Sequence, residues 1–359
     1  MACGGTDDVP PVPLDGEGPF SVGRVQIAVD VDGRALPTEI WYPATRTDTT
    51  TRSLVAFGIG DAQQALLSGW LADAPSDCVR GEAVDNEAIE PAAGQHPLVV
   101  LSHCHECVRF GPARIAERLA SHGFIVAAPD HVGATAFEAE DGTSTGFNVD
   151  TLQRRVDDVE GTLDALQGLG EGGSVGGVAL GGHVETSRVG LLGHSFGAAT
   201  VAGVAQGVPE VAGIVTLAGP VDPLGLYPAD QLAVSILSLR SLEDNTIGTF
   251  GNDLIENQLA EATGPRWSID VRDAGHYSYL DICGLDARFG TGCGEDQRQT
   301  NPDEFFEYAS PSRVRNLTAA YAVGFFSWVL RDDPAGRELL ERQVDELAMT
   351  PVFTPASRD

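Results

Sequence analysis

Residues Ser187 to Thr200 read S-R-V-G-L-L-G-H-S-F-G-A-A-T, and the fold is decided by how that run is parsed. Val189 to Leu192 is a short apolar run of the kind that forms a buried strand. Gly193-His194-Ser195-Phe196-Gly197 follows, and then a small-residue helix, Ala198 to Gln206. This is G-x-S-x-G between a strand and a helix, the pattern of a nucleophile elbow. Gly193 and Gly197 carry no Cβ to collide across so sharp a turn. Ser195 is pushed out above the sheet, at a helix N-terminus whose N–H groups suit a developing oxyanion.

The chain around this motif has 359 residues, 42% of them hydrophobic, enough for one large α/β core. Its net charge is −30, and its 22 basic residues are all arginine. That balance argues against nucleic-acid binding and against docking on anionic lipid by charge. It reads as a strongly solvated surface. No apolar run is long enough to span a bilayer. Met1-Ala2-Cys3-Gly4-Gly5 resembles the tail of a bacterial lipoprotein signal, followed by an acidic, Pro-rich stretch to Pro19. The expectation is an exported cell-envelope lipoprotein or secreted protein, with membrane anchoring through a lipidated Cys3. The plainer alternative is a disordered terminus with an incidental cysteine.

Five further cysteines remain: Cys78, Cys104, Cys107, Cys283 and Cys293. An odd number leaves one thiol free if all bridges are internal. Cys283 and Cys293 share one loop and form the expected pair. A second bridge joins two of Cys78, Cys104 and Cys107.

In chain order, Val22–Asp30 and Thr38–Tyr42 read as a hairpin turning at Val31-Asp32-Gly33-Arg34. Residues 44–95 read as an insertion, with a helix near Ala62–Leu71, placed to lie over the mouth of a site. Pro97–Ser102 is a continuous apolar strand, Ala113–His122 a helix and Phe124–Ala128 the next strand. This strand–helix–strand unit implies a right-handed parallel crossover. Val149–Leu169 is an amphipathic helix. After the elbow come strands at Val211–Leu217, Ala233–Leu239 and Arg266–Arg272, with a helix at Asp253–Ala262. Helices at Ser312–Leu330 and Ala335–Leu347 close the chain. The alternation predicts a mostly parallel, doubly wound sheet with helices on both faces. Residues 1–19 are a tether, 20–348 one domain with the insertion at about 44–95, and 349–359 a C-terminal tail. The sequence carries no signal for an oligomeric state.

A serine needs a base within hydrogen-bond reach. His276 follows a strand and a small turn, Ala274-Gly275, at the carboxyl end of the sheet where Ser195 also sits. His194 lies beside Ser195 and reads as packing. His122 and His183 read as surface residues, and His131 is a distant second choice of base. The third member must be a carboxylate that orients the imidazole. Asp244 closes a short loop after an apolar strand and is favoured. Asp222, flanked by Pro220 and Pro223, is the competitor, and Glu243 is one residue away. The oxyanion donors are expected to be the backbone N–H of Phe196 and of His105, in the loop Ser102-His103-Cys104-His105-Glu106-Cys107. That loop also resembles a metal-ligand cluster. Its donors are consecutive, however, and no second cluster appears, so no metal and no cofactor are expected.

Several stretches resemble a family of bacterial α/β-hydrolases. They are L-P-T-E-I-W-Y-P-A (36–44), H-P-L-V-V-L-S-H (96–103), R-L-A-S-H-G-F-I-V-A-A-P-D-H (118–131), the elbow, and A-G-H-Y-S-Y-L-D-I-C (274–283). The relatives are the predicted dienelactone hydrolases, close to platelet-activating-factor acetylhydrolases and more distantly similar to cutinase-type polyester hydrolases. The resemblance implies the α/β-hydrolase fold, with Ser195 as nucleophile and His276 as base, and it supports Asp244. The implied activity is serine carboxylic-ester hydrolysis through an acyl-enzyme, on a small-molecule, lipid or polymer ester. Phospholipase, acetylhydrolase and polyester hydrolysis are the variants, and a non-catalytic surface binding module is the alternative of another class. The chain departs from the family at Cys104 and His105, where a small glycine usually follows Ser-His, and at Ala198. Trp41, Tyr42, Trp70, Phe196 and Tyr277 are candidates to line an apolar cleft.

Overall fold

A computed structural model describes residues 13–45, 50–84 and 89–357. Of the tether expected at residues 1–19, residues 1–12, Cys3 included, lie outside the described residues; residues 13–19 are not a free tether, since Glu17 pairs with Arg114 and Arg118 and Gly18 N–H donates to Ser121 Oγ.

The chain opens with a long hairpin, β1 (Ser21–Val31) and β2 (Arg34–Ala44), paired in unbroken antiparallel register from Ser21–Ala44 to Val31–Arg34. A two-residue turn, Asp32-Gly33, with φ of 53° and 77°, makes that register possible. The region read as an insertion holds a small ribbon of β3 (Thr51–Ser53) and β4 (Glu82–Val84), with α1 (Gly60–Asp73) between. The α/β core begins at β5 (His96–Ser102), followed by α2 (Ala113–Ser121) and β6 (Ile125–Pro129). Then come α3 (Ala136–Glu140), α4 (Val149–Gln167), β7 (Val184–His194) and α5 (Phe196–Gly207). The second half adds β8 (Val211–Leu217), β9 (Ser235–Ser241), α6 (Gly248–Glu261) and β10 (Arg266–Val271). A second small ribbon, β11 (Glu295–Gln297) with β12 (Phe305–Glu307), precedes α7 (Pro311–Arg331), α8 (Pro334–Leu340) and β13 (Val352–Thr354).

Nine strands form one sheet in the order β1-β2-β6-β5-β7-β8-β9-β10-β13. The six from β6 to β10 run parallel, and the outer strands are antiparallel. The unbroken apolar run of β5 is explained by cover on both faces. Val99 and Leu101 join the core that contains Ile115 and Leu119 of α2 and Phe325 and Phe326 of α7. Leu98 and Val100 join the core that contains Val156 and Val159 of α4 and Val201 of α5.

The strand order reverses between β5 and β7, since β6 lies on one side of β5 and β7 on the other. In an open α/β sheet that is where a crevice opens at the carboxyl ends of the strands. Ser102 ends β5 opposite Gly193 near the end of β7, so the His103–Cys107 loop and Ser195 leave the sheet side by side.

Three further expectations need correction. The bridge to Cys293 comes from Cys78, 215 residues away, and Cys283 is a buried free thiol. Cys283 points into the core, while the turn at Gly284 brings Cys293 against Cys78. A Cβ on Gly284 would lie 2.9 Å from Cys78 Cβ, and its φ is +75°. The C-terminal stretch read as a tail contributes β13, which pairs with β10 at the sheet edge. The described part of residues 44–95 packs on α2, α3 and the 281–294 loop, and none of it lines the cleft that Ser195 lines. Val84 N–H donates to Glu117 of α2, Trp70 stacks on Phe137 of α3, and Cys78 is tied to Cys293. The second bridge is Cys104–Cys107.

Candidate active site

Ser195 sits between β7 and α5 with φ 55° and ψ −119°, backbone strain that only a tightly determined turn sustains. Three glycines permit it. A Cβ at Gly193 would lie 2.1 Å from Gly197 O, at Gly197 2.1 Å from Ser102 O, and at Gly219 2.3 Å from Ser195 O. Ser195 N–H donates to Leu217 O at 2.8 Å, which locks the turn to β8. The side chain stays partly exposed while its neighbours are buried.

His276 comes from the loop after β10. It lies 2.7 Å through Nδ1 from Asp244 Oδ2, with side-chain exposures of 2% and 0%. A carboxylate only accepts, so Nδ1 carries the proton and Nε2 holds the lone pair. The other oxygen of Asp244 accepts from Thr246 N–H and Ile247 N–H, at 3.0 and 3.1 Å, which fixes the carboxylate plane. Asp222 is occupied elsewhere: its Oδ1 caps Leu226 N–H and Tyr227 N–H at 2.7 and 3.1 Å. Glu243 is bound to Arg298 and Thr300. Among the described residues Ser195 Oγ makes no hydrogen bond, to His276 Nε2 or to any other group; such contacts are often loose before substrate binds.

The other histidines separate in the same way. His194 is buried, and its Nε2–H donates to His276 O at 2.8 Å, with the two rings 4.8 Å apart. Burial, then the neighbouring His276, holds its pKa well below the usual range. His122, expected at the surface, is buried, with Nε2 2.9 Å from Gly16 O.

The backbone N–H groups of His105 and Phe196 find no acceptor among the described residues. Phe196 opens α5, where no intrahelical partner exists. The loop carrying His105 is pinned at several points. His103 Nδ1–H donates to Cys104 O at 2.7 Å, and Arg155 donates to His103 O. Ala136 N–H donates to Cys107 O at 2.9 Å, Glu106 N–H donates to Ala134 O at 2.9 Å, and the Cys104–Cys107 bridge closes the turn.

Beneath the loop lies an array the sequence did not announce. Ser102 Oγ is 2.9 Å from His131 Nε2, and His131 Nδ1 is 2.9 Å from Asp158 Oδ2. All three residues are 1% exposed. His131 N–H also donates to His103 Nε2 at 3.0 Å, which joins this relay to the loop. Desolvation lowers His131 well below its usual pKa and raises Asp158 to about 6. Ser102 is sealed from solvent, so the relay holds structure rather than meeting a substrate.

Beside Ser195 an apolar cleft of about 250 Å³ is lined by Phe147, Phe196, Pro220, Ile247, Phe250 and Leu254 among others, none of them charged. Phe250 is 79% exposed at its rim. Of the aromatic candidates only Phe196 lines this cleft. Tyr277 packs edge-on to His276, Trp41 and Tyr42 are core, and Trp70 belongs to the stack with Phe137. Phe147 and Phe250 stand in loop and helix positions with no periodic signal to mark them.

Comparison with known proteins agrees with this architecture. The α/β hydrolase family profile matches residues 98–357, and that of platelet-activating factor acetylhydrolase, isoform II, matches residues 12–141. The chain therefore belongs to the α/β hydrolase family. It is 27% identical over 228 residues to platelet-activating factor acetylhydrolase of Cavia porcellus, covering 52% of this chain. It spans about half the length of that relative, 50%. Its fold is shared with a ferulic acid esterase from Streptomyces cinnamoneus, at TM-score 0.67 and 22% identity over 95% of this chain and 98% of the other.

Proposed function

We propose that the protein is a serine carboxylic-ester hydrolase whose catalytic residues are Ser195, His276 and Asp244. The observation that carries the reading is the strained Ser195 at the head of α5, with the buried His276–Asp244 pair at the same end of the sheet. His276 Nε2 takes the proton of Ser195 Oγ as the oxygen attacks the ester carbonyl. Asp244 keeps the imidazole in the tautomer that makes this possible and stabilises the imidazolium that forms. The N–H groups of Phe196 and His105, both without acceptors among the described residues, hold the oxyanion. The alcohol leaves with the proton from His276. Water, deprotonated by the same histidine, then releases the acid from Ser195.

The uncharged, aromatic-lined cleft supports an apolar acyl group. An exposed Phe250 at the rim favours a second reading, in which long or polymeric apolar esters are also accepted. The relatives named for acetylhydrolase and ferulic acid esterase activities fit ester chemistry of this breadth. Two disulfides suit an oxidising compartment, so export is part of the proposal. The test is Ser195→Ala assayed with p-nitrophenyl acetate and butyrate. Turnover falls to the uncatalysed rate in a folded protein if the reading holds, and retained turnover overturns it.

A further inference from the structure

Cys104 and Cys107 carry the C-x-x-C spacing of half a zinc knuckle, and both are buried, at 1% and 0% exposure. Their neighbours in sequence supply no third converging donor. The fold does: a ring nitrogen of His194 lies within 4.8 Å of both sulfurs. Because His194 Nε2–H donates to His276 O, the tautomer is set and Nδ1 is left with a bare lone pair. Nδ1 is buried and has no hydrogen-bond partner among the described residues. An unsatisfied buried nitrogen is uncommon and calls for an explanation. Among the described residues no other three His, Cys, Asp or Glu donors converge as closely.

We propose that the Cys104–Cys107 bridge is a redox-gated metal site, in which the reduced thiols and His194 Nδ1 bind one thiophilic divalent cation of the class of Zn²⁺. In the oxidised chain the two sulfurs are bonded to each other and offer no thiolate. A dithiol reductant breaks that bond by exchange; its own sulfurs end as a disulfide, and Cys104 and Cys107 each take a proton. The cation then displaces both protons to water, and His194 gives a lone pair without losing a proton. Two thiolates neutralise the dication, which allows the set to stay buried. Burial that keeps His194 neutral also keeps it a ligand. Zn–S bonds of about 2.3 Å would hold the sulfurs about 3.8 Å apart, which reshapes the loop bearing His105 N–H.

The test reads metal content and is independent of ester hydrolysis. The full chain is reduced with a water-soluble phosphine, which takes oxygen from water as the disulfide accepts two protons. It is then incubated with ZnCl₂ and desalted, and zinc is measured by atomic emission. The proposal expects one retained zinc per reduced chain and none in the oxidised chain. It expects none in reduced C104S/C107S, one in reduced C78S/C293S, and at least tenfold weaker binding in H194Q. Zinc-edge X-ray absorption on the wild-type chain gives a second readout that needs no variant, with two sulfurs and at least one nitrogen expected. No zinc in the reduced wild type, equal zinc in the oxidised chain, or a sulfur-only shell overturns the site. So does retention by C104S/C107S.

Discussion

His276 Nδ1–H donates to Asp244 Oδ2 across 2.7 Å, and neither side chain has more than 2% of its surface in solvent. That contact separates two carboxylates that look alike in sequence, because Asp222 spends its side chain on the turn at Leu226 and Tyr227. Asp244→Asn should therefore lower kcat by about 10⁴, by favouring the wrong imidazole tautomer. Asp222→Asn should leave kcat within a few-fold and show its effect in thermal stability. Paired kinetics on p-nitrophenyl butyrate check both, and a larger kcat loss in Asp222→Asn would reverse the assignment.

The cleft beside Ser195 is apolar, and Phe250 lines it while remaining 79% exposed. Phe250→Asp places a charge where an acyl chain would lie. Removing roughly 60 Å² of apolar contact at about 25 cal/mol per Å² amounts to about 1.5 kcal/mol, or about tenfold in KM. The change should grow from acetate to butyrate to octanoate esters, with kcat nearly constant. An equal effect at every chain length would place the acyl group elsewhere.

The parallel sheet, the elbow and the His276 loop are legible in the sequence because each is local. A buried strand is a continuous apolar run, as in residues 97–102, and the elbow is a strand, a glycine-flanked serine and a helix in immediate succession. What escapes is long-range. Cys293 looks paired with its loop neighbour Cys283, yet its partner is 215 residues away, because spacing carries no information about which side chain turns inward. Ser102, His131 and Asp158 come from three separate elements, and nothing in their spacing joins them. The tail at Val352–Thr354 becomes a strand only because β10 offers it an edge.

That relay should act on the reaction through the loop it supports. The His131 ring, held between Ser102 Oγ and Asp158, positions the His131 main chain, whose N–H holds His103, and His103 in turn holds Cys104 O, one residue before the proposed oxyanion donor. Loss of one oxyanion donor costs about 10²–10³ in rate, so a displaced donor should cost about tenfold or more. His131→Asn is expected to lower kcat by that factor with KM unchanged. It should also weaken a boronic-acid transition-state analogue in proportion, while a ground-state competitive inhibitor binds as before. Equal loss of both inhibitors would reduce the relay to general packing.

The Cys78–Cys293 bridge ties the segment before β4 to the loop after β10. Removing a bridge across so long a stretch of chain costs about 2–5 kcal/mol. C78S/C293S should show a correspondingly lower urea midpoint with a similar m-value. A midpoint equal to wild type would mean that the loop is held without it.

Three buried histidines set a further test. Desolvation holds His103, His131 and His194 well below the usual pKa in the folded chain. In the unfolded chain each returns to about 6.5. Below that pH the unfolded state takes up protons that the folded state refuses. Each histidine thus contributes stability that is complete above pH 6.5 and is lost as pH falls toward its folded value. The slope is up to about 1.4 kcal/mol per pH unit for each group. Asp158 has the opposite sign. Burial raises it to about 6, so its contribution is present below about pH 4 and is lost as pH rises toward 6. The wild type and a variant at one histidine share that opposing contribution, so it cancels in their difference. His194→Gln, in the oxidised chain, should be less stable than wild type at pH 7.5 by urea unfolding. The gap should narrow by up to about 1.4 kcal/mol for each pH unit below 6.5, because the variant has no proton to refuse there. A gap that stays constant from pH 7.5 to 5.5 would mean that His194 takes up its proton equally in the folded and unfolded chains.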